Sequence, residues 1–146
     1  MQHSILVVVH LFAAFVFVGT VFFEVLILEG VRQHVAPETM RTMEKAIGKK
    51  ARQIMPWTLL VLYLAGLAMA WNYRAALAHP FSSSFATMLT IKISLALSVL
   101  AHFITAMVLG SKGRLNTRYV QRIHYSVFTH MVLIVLLAKL MFFVDW

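Results

Sequence analysis

The sequence predicts an all-α integral membrane protein, a four-transmembrane up-down-up-down helix bundle with both termini on the periplasmic side. Three observations carry this. Of 146 residues, 61% are hydrophobic and only 12% charged, whereas soluble domains average about 45–50% apolar and about 25% charged. Four apolar stretches, 4–28, 56–73, 85–110 and 123–144, approach or exceed the ~20 residues a membrane helix needs. Of the 13 Lys and Arg residues, six fall between the first two stretches, four between the last two, and only Arg74 in the middle connection. The positive-inside rule then puts both basic connections in the cytoplasm of a bacterium and the chain in its inner membrane. The net charge of +8 follows from that topology and calls for no nucleic-acid partner. At this length the chain holds one bundle, a single domain over 1–146. The sequence has no cysteine, which excludes disulfides, thiolate metal sites and covalent haem attachment and leaves His, Met, Glu, Asp and Tyr as ligands.

The first span, 4–28, lacks a basic leader and a small-residue cleavage site, so it reads as a retained helix rather than a signal peptide. It holds His10 and Glu24, 14 residues apart and therefore on one face with Ala14 and Phe17. Residues 37–55 read as a cytoplasmic amphipathic loop. Pro37 opens a helix, Met40, Met43, Ile47 and Ile54 recur at helical intervals, and Arg41, Lys45, Lys49, Lys50 and Arg52 crowd the other side. Such a segment lies on an anionic leaflet or docks a soluble partner.

Pro56 suits the first position of the second span, 56–73, in which Gly66 and Ala70 form a small pair for close packing and Trp57, Trp71 and Tyr73 mark the ends. The third span, 85–110, carries Lys92 and His102, with Ser94, Ser98, His102 and Thr105 on one helix face. Charged groups at such depth cost about 2.5–3.5 kcal/mol on insertion scales, so they have a partner or a task. The fourth, 123–144, carries His124, Tyr125, His130 and Lys139, with Ser126, Thr129 and His130 on its polar side. Lys139 stands nine residues from His130, on the opposite side of the helix, and is expected to snorkel to the interface. His124 belongs to the interface as well.

Depth sorts these groups. With a rise of 1.5 Å per residue, His102 and His130 both fall roughly 6 Å to the cytoplasmic side of the midplane, while His10, Lys92 and Lys139 fall roughly 8–9 Å to the outer side. Two histidines at one level on different helices suit the two axial positions of a non-covalent b-type haem. Arg114, Arg118 or Arg122 stand near enough for its propionates. Alternatively the pair hydrogen-bonds across the bundle, or holds a non-haem metal. In the outer layer, His10 and Lys92 form a polar site in which His10 serves as a second axial ligand, a proton carrier or a group binding quinone or another substrate. Glu24 pairs with a cation or imidazole of the inner layer, sits protonated, or relays protons. The resulting expectation is a cytochrome-like oxidoreductase in which haem b exchanges electrons with quinone or another membrane-soluble partner, a homodimer sharing the cofactor being compatible with it.

Three stretches also resemble the four-span superfamily that includes the CopD copper-resistance membrane domain and the HemJ-type protoporphyrinogen oxidase. VVVHLFAAFVFVG places His10 ahead of Gly19, IKISLALSVLAHF resembles a Lys-then-His pattern at Lys92 and His102, and LLAKLMFF resembles a helix with an outer-end lysine, Lys139. The resemblance implies b-type haem, with His10 functional and a candidate axial ligand. It leaves two alternatives to the cytochrome reading: oxidation of protoporphyrinogen IX and handling of copper. The chain departs from the oxidase pattern at VFFEVLILEG, where Glu24 replaces a cation. For copper, the span methionines Met69, Met88, Met107, Met131 and Met141 are scattered in depth, and Met40 and Met43 lie in the surface segment.

Overall fold

A computed structural model describes residues 2–113 and 117–144, with side chains for all of these but 2, 3 and 117. The described residues are helical throughout apart from short turns, and four helices are long and apolar enough to cross a membrane. The chain divides into two compact units, Met1–Asn72 and Tyr73–Trp146.

The first unit is a helical hairpin. Helix α1 (Gln2–Phe22) passes into a π-helical segment (Phe23–Leu28) and a last turn, α2 (Glu29–Val31). Ala13, Phe17, Val21, Val25 and Leu28 are its buried residues. Their spacing is four, four, four and three, a little longer on average than the 3.6-residue turn, and the wider π turn keeps the later members on the packed side. Glu24 lies in that segment, half-buried.

Helix α3 (Pro37–Trp71) forms the other arm and runs unbroken for 35 residues with Pro56 inside it. Residues 37–55 are thus helical from Pro37, as the sequence suggests, but continuous with the second span, and Pro56 starts no helix. The apolar side explains why: Met40, Met43, Ile47, Ala51, Met55, Leu59 and Leu62 continue at steps of three and four straight through the proline, with Met40, Met55 and Leu59 buried. Packing on one continuous face outweighs the single main-chain hydrogen bond that proline removes, a loss membrane helices tolerate. Such a helix is about 52 Å long, well beyond the ~30 Å hydrocarbon core.

Near the connection, Arg32 bonds Glu29 at 3.0 Å and also Glu44 of α3, joining the two arms. Burial works to lower the Arg32 pKa, but the hydrogen bonds to Glu29 and Glu44 outweigh it and leave the guanidinium's pKa raised. Away from the hairpin contact apolar residues are exposed within the chain, Phe15 at 78% and Leu67 at 62%.

The second unit contains a short helix α4 (Arg74–Ala78) and two long ones, α5 (Ser84–Ser111) and α6 (Thr117–Leu140). Ser83 caps α5, its Oγ accepting from the Ala86 N–H at 3.2 Å. Gly113, at φ 63°, ends the segment after α5 in the left-handed region that glycine adopts without strain. Helices α5 and α6 are antiparallel. Met88, Leu89 and Met141 form a buried cluster at one end, packed by Tyr73, Leu77, Phe85, Ile93, Leu137 and Val144. Helix α6 begins six residues before the expected 123, because TRYVQR contains no helix breaker, and gives way to a turn after Leu140 as Phe142 N–H bonds the Lys139 carbonyl.

Candidate functional site

Both long helices of the second unit carry the same spacing, Ser-x-x-x-His: Ser98 to His102 on α5, Ser126 to His130 on α6. In a helix that step of four stacks the two side chains on one face, and the antiparallel packing brings the two stripes together. His102 Nδ1 donates to the Ser98 carbonyl at 2.7 Å, and His130 Nδ1 donates to the Ser126 carbonyl at 2.7 Å. A carbonyl only accepts, so in each ring the proton sits on Nδ1 and the lone pair on Nε2. Each Nε2 is capped by the opposite helix. Ser126 Oγ donates to His102 Nε2 at 3.1 Å, and Ser98 Oγ donates to His130 Nε2 at 3.1 Å. The ring centroids are 5.5 Å apart with the planes inclined at 54°.

The arrangement is reciprocal: two imidazoles at one level, each oriented by its own main chain and covered by the partner helix's hydroxyl. Main-chain or carboxylate contacts of this kind on the non-ligating nitrogen set the orientation of metal-bound histidines. Val99, Val127 and Met131, each close to the pair in sequence, are buried.

No protein-family model, curated protein or solved structure matches the chain.

The remaining sequence-predicted residues sort as follows. Arg118 and Arg122 are exposed on α6, and Arg122 stands one turn before Ser126 on the same stripe, about 6 Å along the axis. Arg114 lies outside the described residues. Lys92 is half-buried on α5, ten residues from His102, about 15 Å along the helix. Lys139 is exposed, its Nζ 5.2 Å from the centre of the Phe143 ring. His124 is half-buried, two residues from Ser126 and so on a different side of α6.

His10 belongs to the first unit and Lys92 to the second. There the His10 ring packs into a notch on α3. Its Nδ1 donates to the Leu62 carbonyl at 3.0 Å, and a Cβ placed on Gly66 would lie 3.2 Å from His10 Cε1. Gly66 thus leaves room for an imidazole, beyond the close helix packing its sequence context suggests. Among the described residues no cluster of three or more His, Asp or Glu gathers. The hydroxyl caps are absent from a helix-by-helix reading of the sequence. Their signal is the repeated Ser-x-x-x-His, which acquires meaning only once two antiparallel helices are paired.

Proposed function

We propose that the protein is a small redox carrier of the bacterial inner membrane, its four spans passing up-down-up-down with both termini periplasmic. In this proposal His102 and His130 hold a b-type haem, which exchanges electrons with quinone or another membrane-soluble partner. The single supporting observation is the reciprocal pair: two imidazoles in one tautomer, both Nε2 lone pairs turned across one helix–helix contact. The distribution of basic residues supports the orientation.

The donor set fits a b-type haem, for which two neutral histidines are suitable axial ligands. The separation does not fit in this closed state: with the rings 5.5 Å apart and joined through serine hydroxyls, a flat tetrapyrrole has no room between them. Binding requires α5 and α6 to part. When bound, haem supplies one-electron chemistry at a potential set by its axial ligands and by burial. The chain's own residues supply the rest. The Ser98 and Ser126 carbonyls hold the imidazole orientation, and Arg118 and Arg122 stand near the cytoplasmic end of the pair for carboxylates.

A second reading, transfer of copper as cargo, is favoured by the same short spacing. Imidazole nitrogens bind copper, and metal–nitrogen distances of about 2.0–2.1 Å set two nitrogens on a bare ion about 4 Å apart, which asks far less opening than a macrocycle does. The visible spectrum of the full-length protein purified in detergent decides between the two. A Soret band that sharpens on reduction, with resolved lower-energy bands, supports haem. A colourless protein that takes up one equivalent of copper, and loses it in His102→Ala, supports the second reading and overturns the first.

A further inference from the structure

We propose that the first hairpin binds an anionic phospholipid, its phosphate held by Arg41, Lys45, Lys49 and Arg52 and its acyl chains laid along the exposed side of the other arm. This needs the apolar helices to cross a membrane and is independent of the haem.

Two contacts fix the register of the arms. The His10 ring meets the Leu62 carbonyl of α3, and Arg32, just past α2, meets Glu44. Between them the arms run antiparallel, so residues 22–27 stand level with roughly residues 47–52 of α3. The arms differ in character at this level. The first exposes Phe22, Phe23, Leu26 and Ile27, each 41–50% open, which continue the exposed apolar surface that Phe12, Phe15 and Val16 begin. There α3 exposes Lys49, Lys50 and Arg52, with Lys45 and Arg41 one and two turns nearer its start. Because α3 is one unbroken helix from Pro37 to Trp71, these cations are carried on the spanning helix itself.

Steps of four, four and three place Arg41, Lys45, Lys49 and Arg52 within about 80° of one another around α3 and leave Lys50 on a different side. Like charges at that spacing repel. Among the described residues no carboxylate is ion-paired with any of the four: Glu29 and Glu44 both go to Arg32. The Arg52 guanidinium folds back along the helix, its Nη1 3.5 Å from where a Cβ on Gly48 would stand, which brings it to the level of Lys49. The stripe therefore calls for an anion from outside the chain.

The neighbouring arm selects which anion. A phosphate or carboxylate alone would answer the four cations and leave Phe22, Phe23, Leu26 and Ile27 in water. A phospholipid answers both, offering phosphate oxygens to Lys and Arg and hydrocarbon to the apolar side chains at the same level. An anionic headgroup is favoured over a zwitterionic one because the four positive charges have no negative counterpart.

The test uses the full-length protein with Trp57 as its only tryptophan (Trp71→Phe/Trp146→Phe). Trp57 is 68% exposed and five residues from Arg52, so brominated lipid beside the hairpin quenches its fluorescence. In phosphatidylcholine bilayers, brominated phosphatidylglycerol displaces the host lipid with at least about fivefold preference, the effect of one cation near an anionic surface. Brominated phosphatidylcholine shows none. Arg41→Gln/Lys45→Gln/Lys49→Gln/Arg52→Gln abolishes the preference, Lys112→Gln in the other unit keeps it, and about 1 M salt, where the Debye length is about 3 Å, shrinks it. Equal affinity for the two lipids overturns the proposal, as does a preference that survives the four substitutions with helix content retained. Should that variant fail to fold, Arg41→Gln/Lys45→Gln and Lys49→Gln/Arg52→Gln decide by the same criterion. Binding of polyglutamate in phosphatidylcholine bilayers, with no preference between the lipids, gives the surface to an acidic protein and overturns the lipid.

Discussion

In the first hairpin one imidazole, His10, leans on a main-chain carbonyl of the neighbouring helix, over a glycine. In the second, two imidazoles exchange contacts with serine hydroxyls, each helix serving the other. A carbonyl built into a helix cannot turn aside, and a ring seated over Gly66 occupies the volume a side chain would fill. A hydroxyl can turn, and its helix offers it another acceptor. The first contact thus rests on the main chain and the second on side-chain hydroxyls.

The largest test of this difference is removal of the imidazoles in turn. His102→Ala and His130→Ala each abolish the low-spin bis-imidazole spectrum and lower haem content at least tenfold, whereas His10→Ala keeps both bands and stoichiometry. The readout is the reduced-minus-oxidised spectrum, normalised to protein. Loss of haem in His10→Ala with retention in His130→Ala moves the ligand to the first hairpin and breaks the assignment.

Next in size is the notch. Gly66→Leu drives a side chain into the space of the His10 ring, and overpacking of this kind costs about 1–3 kcal/mol. Thermal unfolding in detergent detects it as a lowered midpoint, while the ¹⁵N resonances of His102 and His130 stay where they are. If those resonances move as far as that of His10, the two imidazole contacts are not independent.

Much of the architecture is legible in the sequence because bilayer physics constrains it so tightly: apolar length and basic connections suffice for four candidate spans. The level of His102 and His130 follows from counting residues at 1.5 Å each, and the structure brings those two rings together. Boundaries are harder. Pro56 reads as a start only because proline is favoured in first turns; that α3 runs through it depends on the face Met40–Met43–Ile47–Ala51–Met55–Leu59 packing on α1, a tertiary effect. The same holds for the π-helical turn at Glu24, which residue preference does not announce. What holds the imidazoles is least visible of all. Ser98 and Ser126 share a Ser-x-x-x-His spacing that Ser94 lacks, but only the pairing of α5 with α6 brings each against the facing histidine.

That last distinction yields the smallest predicted effect. Ser94 and Thr105 flank the pair on α5, one turn or less from Ser98 and His102, and both donate to their own helix, at 3.0 and 2.7 Å. Removing either hydroxyl leaves a helix carbonyl that still holds its main-chain partner, so Ser94→Ala and Thr105→Ala change stability by no more than about 0.5 kcal/mol. Neither substitution moves the Nε2 resonances of His102 or His130, nor the haemin affinity. These variants share with Ser98→Ala the loss of one hydroxyl in one helix and differ only in what that hydroxyl touches. A shift in Ser94→Ala equal to that in Ser98→Ala traces the response to a general loosening of α5; silence there, against a response at Ser98, traces it to the hydrogen bond that crosses to α6.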